Sequence, residues 1–114
     1  MPARERYGYF VRKVVDTQQV WGLYHDGWAT MRSHGQTAVP FWPEAAFALL
    51  CATGDWTAYQ PRAITLDDFS GRWLHGMANN NELACVFPMP DVAATVALPA
   101  TLLAELKDEA EQYQ

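Results

Sequence analysis

The sequence predicts a small α+β domain in which one mainly antiparallel sheet packs against about four helices. Three observations carry this prediction. An Asp-Gly pair, Asp26-Gly27, separates two apolar-rich runs, which is the strongest short-range signal for a β-hairpin. Proline stands where two helices are expected to begin, at Pro43 and Pro99, and a missing backbone N–H costs nothing there. The run 83–87 is almost wholly apolar, as in a strand that is buried on both faces.

The composition is that of an ordinary globular domain. Half of the 114 residues are hydrophobic and 18% are charged, so we expect one α+β domain over residues 1–114 that buries its own core. The apolar runs fall far short of the roughly 20 residues that a membrane helix needs, so no membrane association is expected. The first residues carry charges without a following apolar run, unlike a signal peptide. We therefore expect a cytoplasmic protein.

Charge is distributed unevenly along the chain, whose net charge is −5. Residues 1–13 carry four basic side chains against one acidic side chain. From Glu44 onward there are ten acidic side chains against three basic ones. Binding to nucleic acid usually needs a basic patch that displaces counterions. We expect no nucleic-acid partner, and we interpret the basic residues near the start, Arg6 among them, as part of a solvated helix face.

The first two elements are a helix and a hairpin. Apolar residues recur at helical spacing between positions 5 and 15, which predicts an amphipathic helix there. The hairpin is expected over 19–32, with the turn at Asp26-Gly27 and with His25 opposite Trp28. Both of its faces are largely apolar, so alternation does not distinguish core from solvent. The helical stripe consists of Tyr7, Phe10, Val11 and Val14.

The remaining elements follow from turn residues and apolar runs. Residues 33–36 are expected to form a turn, and residues 61–64 a short extended segment. Thr65 has the position of a helix N-cap with Asp68 three residues later, a variant of the capping box. Further strands are predicted near 37–41, 83–87 and 92–98, and further helices over 43–53, 66–78 and 99–113.

The two cysteines, Cys51 and Cys85, each lie among apolar neighbours. A free thiol in such surroundings behaves as a small hydrophobic side chain. Neither has a second cysteine or a histidine at the spacing of a zinc site. We therefore expect two buried free thiols, no metal site and no cofactor.

Four runs of the sequence together resemble a known family. They are YFVRKVVDTQQVWGLYHDGWA, VPFWPEAAFALLCATGDW, PRAITLDDFSGRWLHGM and LACVFPMP, and they resemble the domain of unknown function 2750 family over roughly residues 5–113. The resemblance implies a compact α+β domain of the bacterial cytoplasm, and it supplies no catalytic residues to carry over. The sequence departs from the family pattern at Ser33-His34-Gly35 and in the three asparagines at 79–81.

Catalytic motifs are absent from the sequence. His25 next to Asp26 could be a general base oriented by a carboxylate, but aspartate is also favoured in the turn itself, and we prefer that interpretation. Nothing has the pattern of a nucleophile elbow, a phosphate loop or paired metal ligands. The sequence therefore names no catalytic residue and leaves open whether the protein is an enzyme.

Five tryptophans exceed the one or two that average composition would supply. Tryptophan and arginine are enriched at interaction hot spots, although a tryptophan-rich core would explain the same count. We predict a non-catalytic binding or protein-interaction module, a monomer or homodimer with an unidentified protein partner. The alternative is a small-molecule-binding protein or enzyme with a pocket near the 19–32 hairpin, lined by His25, Asp26 and Arg62. The candidate binding residues are Trp42, Trp56, Arg62, Trp73 and His25.

Overall fold

The computed structural model of the protein describes residues 1–112 and confirms the α+β class. The end of the last predicted helix, position 113, and the last two residues of the predicted domain lie outside the described residues. The helices are α1 (Ala3–Thr17), α2 (Ala45–Leu50), α3 (Leu66–Asp68), α4 (Leu74–Asn79) and α5 (Pro99–Glu111). The strands are β1 (Gln19–Tyr24), β2 (Met31–Ser33), β3 (Gln36–Phe41), β4 (Gln60–Thr65), β5 (Leu83–Val86) and β6 (Thr95–Ala97).

Helix α1 buries the predicted apolar stripe, with Phe10 and Val14 fully inside. It ends at Gln18, whose backbone adopts a left-handed φ of 63° and whose N–H bonds to the Val14 carbonyl at 2.8 Å. A left-handed residue after the last turn satisfies a carbonyl that would otherwise lack a partner. One basic residue of this helix contradicts the prediction of a solvated face, because Arg6 is buried.

The hairpin predicted over 19–32 is wrong in its strand pairing. The turn is present, with Asp26 at a φ of 55°, but it closes only a single bridge between Tyr24 and Trp28. Strand β1 pairs instead with β4, antiparallel, with Gly22 opposite Arg62. The physical reason is that both edges of β1 are occupied, one by β4 and the other by Trp42, which exchanges backbone hydrogen bonds with Trp21. The Trp28 ring lies instead on the face of β1, so close to Gly22 that a Cβ there would be 2.9 Å from two ring carbons.

The turn that joins two paired strands lies eight residues further along the chain, at His34 and Gly35. Both have positive φ, 51° and 79°, as a tight two-residue hairpin turn requires. This turn joins β2 to β3, with Met31 opposite Ala38. The prediction of a turn over residues 33–36 is confirmed, and it is this turn that builds the sheet.

The larger sheet has the strand order β2-β3-β5-β6. Its pairs are antiparallel except for β3 and β5, which run parallel. The short sheet of β1 and β4 is joined to it where Trp21 and Trp42 exchange backbone hydrogen bonds of 2.9 and 2.8 Å. The strands therefore form two mainly antiparallel sheets linked by one bridge, and the apolar strand β5 lies between β3 and β6 in the larger sheet.

The four-stranded sheet has two unlike faces. The covered face carries Val39, Phe41 and Val86 into the main core, where α1 and α5 pack on β5 and the Phe41 ring packs on Phe69. The open face carries a separate small cluster of Ala38, Leu83 and Cys85. In the part of the chain described here, that small cluster includes no helical residue, and its partly buried neighbours are Met31, Ala94 and Val96.

The segment 66–79 is helical throughout but not uniformly α-helical. It starts as predicted, because the Thr65 hydroxyl accepts a hydrogen bond from the Asp68 backbone N–H at 3.1 Å. Between α3 and α4 the residues Phe69–Trp73 form a π-helical turn. Such turns are rare and occur frequently at functional sites. Within residues 1–112, no helix is long and apolar enough to span a membrane.

Candidate functional site

Trp42 belongs to the core. None of its surface is exposed, and its indole Nε1–H donates to the Pro88 carbonyl at 2.7 Å. A buried indole whose N–H is bound to a backbone carbonyl is the arrangement expected of a structural tryptophan. The expectation that Trp42 lies at the surface is therefore wrong.

Trp56 packs edge-on against Trp42, with ring centroids 6.3 Å apart, and its outer part lines a cleft of about 750 Å³. We call this cavity the sheet cleft, because its floor includes Cys85 on the open face of the sheet. It lies where the segments that follow β3 and β5 approach each other. Its lining includes Met31, Arg32, Cys51, Trp56, Cys85 and Met89.

The sheet cleft is apolar at its floor. Burial raises the pKa of the Cys85 thiol to about 11, with a smaller contribution from Cys51. Burial likewise raises the pKa of the Cys51 thiol, which lies 3.2 Å from the Pro88 carbonyl and donates to it. The thiolate is the reactive form of cysteine. Both side chains are therefore protonated and unreactive at neutral pH.

The polar groups of the sheet cleft lie at its margins. Arg32 is exposed, and its guanidinium donates to the Gly35 carbonyl at 2.6 Å and to the Thr37 hydroxyl at 3.3 Å. Asp55 is an exposed carboxylate in the lining. An apolar cavity with a few polar groups at fixed positions is typical of small-molecule sites.

One wall of the sheet cleft is held by Arg6. Its side chain is 3% exposed, and the guanidinium donates to the carbonyls of Phe87, Met1 and Ala93. Since a buried charge is costly unless it is fully hydrogen-bonded, these three acceptors explain why it is tolerated. Two of them lie at the ends of residues 87–93, so Arg6 ties this segment to α1 at both ends.

The same wall begins with a strained residue. Phe87 has a φ of 53°, in a region that is a genuine outlier for a bulky side chain and costs of order 1–3 kcal/mol. Its N–H bonds to the Phe41 carbonyl at 2.8 Å, and its ring is buried against Phe47. These contacts and Arg6 hold a conformation that turns the chain out of β5 and into the wall of the cleft.

Arg62 and Trp73 lie in a second place, grouped around Trp28. The Arg62 guanidinium carbon lies 4.3 Å from the centre of the Tyr24 ring and 5.8 Å from that of Trp28. The rings of Trp28 and Trp73 are nearly perpendicular, with centroids 4.9 Å apart. Trp73 also packs on Phe41 of the core, at 5.9 Å.

Trp28 and Trp73 line a cavity of about 370 Å³, which we call the indole pocket. Its other walls come from the helix after the π turn and from the chain just before β5. Thr30 lines both this pocket and the sheet cleft, so residues 28–31 separate the two cavities. The remaining lining residues are Val39, Arg72, Gly76, Met77 and Glu82.

His25 lies apart from both cavities, on the exposed turn. Its Nε2 is 3.9 Å from the Asp26 carboxylate, and its ring is 5.7 Å from that of Tyr59. An exposed pair at this distance contributes little. Neither His25, Asp26 nor Arg62 lines the sheet cleft or the indole pocket.

The five predicted binding residues are therefore divided among several places. The structure brings Arg62 and Trp73 together around Trp28, and it brings Trp56 against Trp42. Sequence analysis missed Arg6, although its i, i+4 spacing to Phe10 placed it beside the buried stripe. It also missed Glu82, for which no local pattern gives a signal.

Within the described part of the chain, no group of three or more histidine, cysteine, aspartate or glutamate side chains could hold a metal ion. The fold is thus a small α+β domain with an open sheet face, and its cavities include the sheet cleft and the indole pocket. A family model described as "Protein of unknown function (DUF2750)" matches residues 7–106. The chain belongs to this family, which confirms the predicted resemblance. No protein of curated function matches the chain.

Proposed function

We propose that this protein is a non-catalytic binding domain whose ligand occupies the sheet cleft. The observation that carries the proposal is the cleft itself, with about 750 Å³ of volume between apolar walls. Ligand pockets of small molecules measure roughly 300–1,000 Å³ and have mostly apolar linings with few polar groups. The cleft also lies over the open face of the sheet, against Cys85 of β5 and residues of the segment that follows β5.

The chemistry of the lining favours binding over catalysis. Its two cysteines, Cys51 and Cys85, have pKa values that are both raised by burial. A cysteine nucleophile needs a lowered pKa or a neighbouring base. Among the described residues that line the cleft, none is a histidine, so no imidazole supplies that base.

The ligand we propose is a small organic molecule with a flat or branched apolar body and one polar group. Trp56 offers an aromatic surface, and Met31 and Met89 offer adaptable thioether side chains. A polar group at the mouth of the cleft would meet Arg32 or Asp55. We expect the apolar body of the ligand to supply most of the affinity, and the polar residues at the margin of the cleft to fix the orientation of the ligand.

The test is capture of small molecules by the immobilised protein from a cell extract, read by mass spectrometry of the eluted compounds. Thr53 is exposed in the lining, so Thr53→Trp should obstruct the cleft without disturbing the core. Ala58 is exposed outside the lining, and Ala58→Trp is the matched control. We expect compounds retained by the native chain and by Ala58→Trp to be lost from Thr53→Trp. Retention by all three, or by none, contradicts the proposal.

A second candidate function is a protein contact through α2. Leu49 and Leu50 are adjacent and are 56% and 55% exposed, which is unusual for large apolar side chains beside each other on a short helix. Self-association is the form of this contact that the purified chain can test. Sedimentation equilibrium should show a dimer that the double change of Leu49→Lys and Leu50→Lys converts to monomer. A native chain that stays monomeric at high concentration excludes self-association through this surface.

A further inference from the structure

We propose that the indole pocket binds an organic cation, namely an alkylammonium or guanidinium head group. This inference goes beyond the proposed function, because it concerns a different cavity and a different ligand chemistry. It starts from the pair Trp28 and Trp73, whose perpendicular rings line one pocket. The face of an indole attracts a cation within about 6 Å of its centre, and tryptophan is the strongest of the aromatic side chains in this respect.

The chain itself shows that this aromatic group accepts a cation. The Arg62 guanidinium lies over Tyr24 at 4.3 Å and within 5.8 Å of the Trp28 ring centre. Arg62 is exposed and does not line the indole pocket. Among the described residues, the Trp73 ring meets Trp28 and Phe41 nearly at right angles, and no cationic side chain lies over it.

A carboxylate completes the site. Glu82 lines the pocket and is partly buried, and in the described part of the chain its side chain forms no salt bridge. A negative charge beside two indole rings favours a cation over a neutral group of the same shape. The one basic residue of the lining, Arg72, is largely exposed and is bound to the Asp68 carboxylate at 3.3 Å.

Two backbone features position the indoles. A Cβ at residue 22 would approach two ring carbons of Trp28 to 2.9 Å, so glycine there lets the ring lie against β1. The π-helical turn Phe69–Trp73 ends at the second tryptophan, and such turns are frequent at functional sites. Gly76 adds space, since nothing lies within 4 Å of a Cβ built at that position.

The test uses choline and its uncharged isostere 3,3-dimethylbutan-1-ol as probes. Met77 lines the indole pocket, whereas Met31 and Met89 line the sheet cleft. Titrations of protein labelled with carbon-13 at the methionine methyl groups therefore report on each cavity separately. We expect choline to shift the Met77 signal with a saturable curve and to bind at least about threefold more tightly than the isostere. Equal affinity of the two probes, or no saturable shift, overturns the proposal.

Variants assign the binding to the pocket. Glu82→Gln removes the charge and keeps the shape, and should weaken choline binding about threefold, whereas Glu111→Gln, on the exposed end of α5, should leave it unchanged. Trp73→Leu should abolish it, and Glu82→Gln remains decisive if that variant does not fold. Unchanged binding by Glu82→Gln contradicts the proposal.

Further probes distinguish the source of the cation. Nα-acetyl-lysine amide and Nα-acetyl-arginine amide represent the side chains of a protein partner, and choline represents a free small molecule. Whichever of the three binds most tightly identifies the source, provided that it shifts Met77. Because the readout is Met77 and not the methionines of the sheet cleft, failure of this inference and failure of the proposed function give different results.

Discussion

The two faces of the four-stranded sheet are built from neighbouring residues of the same strands, yet they differ in what they contact. Phe41 and Val86 point to the covered face, where the Phe41 ring packs on Phe69 and helices α1 and α5 pack on β5. Ala38 and Cys85 point to the open face, where they form a small separate cluster with Leu83. Interiors are close-packed, so the helices that cover one face complete a core. Among the described residues, no helix contributes to the cluster on the other face, and the sheet cleft lies over that face at Met31, Cys85 and Val96.

The difference between the two faces can be tested by truncating one large side chain on each of them. Phe41→Ala should lower the free energy of unfolding by about 3–5 kcal/mol, because the ring is fully buried against Phe69. Met31→Ala on the open face should cost about 1 kcal/mol, because its side chain is only partly buried. Urea denaturation measures both. Equal losses would mean that the two faces are packed alike.

A second substitution tests whether Arg6 stabilises the wall of the sheet cleft without affecting the sheet itself. Arg6→Met should cost about 2–3 kcal/mol, because it leaves three carbonyl acceptors without their charged donor. Arg12 is exposed on the same helix, and Arg12→Met should stay within about 0.5 kcal/mol of the native chain. Amide hydrogen exchange should accelerate over residues 88–93 in the first variant only. Uniform acceleration would contradict a local role in holding the wall.

The smallest expected effect concerns the thiol at the floor of the cleft. Because burial raises the pKa of Cys85 from 9.0 to about 11, the unfolded chain loses its proton at lower pH than the folded chain. The stability from this group is therefore complete below pH 9 and is lost as the pH rises towards 11. We expect the native chain to lose about 1–2 kcal/mol more than Cys85→Ala over this interval. If the stability of the native chain and that of Cys85→Ala changed in parallel with pH, the floor of the cleft would be hydrated in the folded protein.

Structural elements that are determined by residues close together in the sequence could be predicted from it. The cap at Thr65 and the apolar stripe of α1 are encoded within a few positions, and both are present. The pairing of β1 could not be predicted in this way. Asp26-Gly27 permits a turn, but β1 pairs with β4, where Arg62, the partner of Gly22, lies 40 positions further along.

The candidate site, too, could be predicted from the sequence only in part. The tryptophan count correctly indicated an unusual aromatic load, and Trp56, Trp73 and Arg62 do lie at cavities or surfaces. Trp42 could not be separated from them by sequence, because its burial depends on the Pro88 carbonyl that accepts its N–H. The sheet cleft itself is lined by residues of four separate stretches, 30–32, 51–56, 85–90 and 92–96, and no single stretch of sequence contains it.

The most direct test of the binding proposal is a titration of the carbon-13 methionine-methyl spectrum with a library of small apolar acids and alcohols. Two of the four methionines, Met31 and Met89, line the sheet cleft, and Met77 lies in the indole pocket. We predict compounds that shift Met31 and Met89 together, with saturation, while Met77 stays in place, and we predict that Thr53→Trp removes these shifts. If no compound shifts the two signals, or if Thr53→Trp leaves the shifts unchanged, the open face of the sheet is not a binding site.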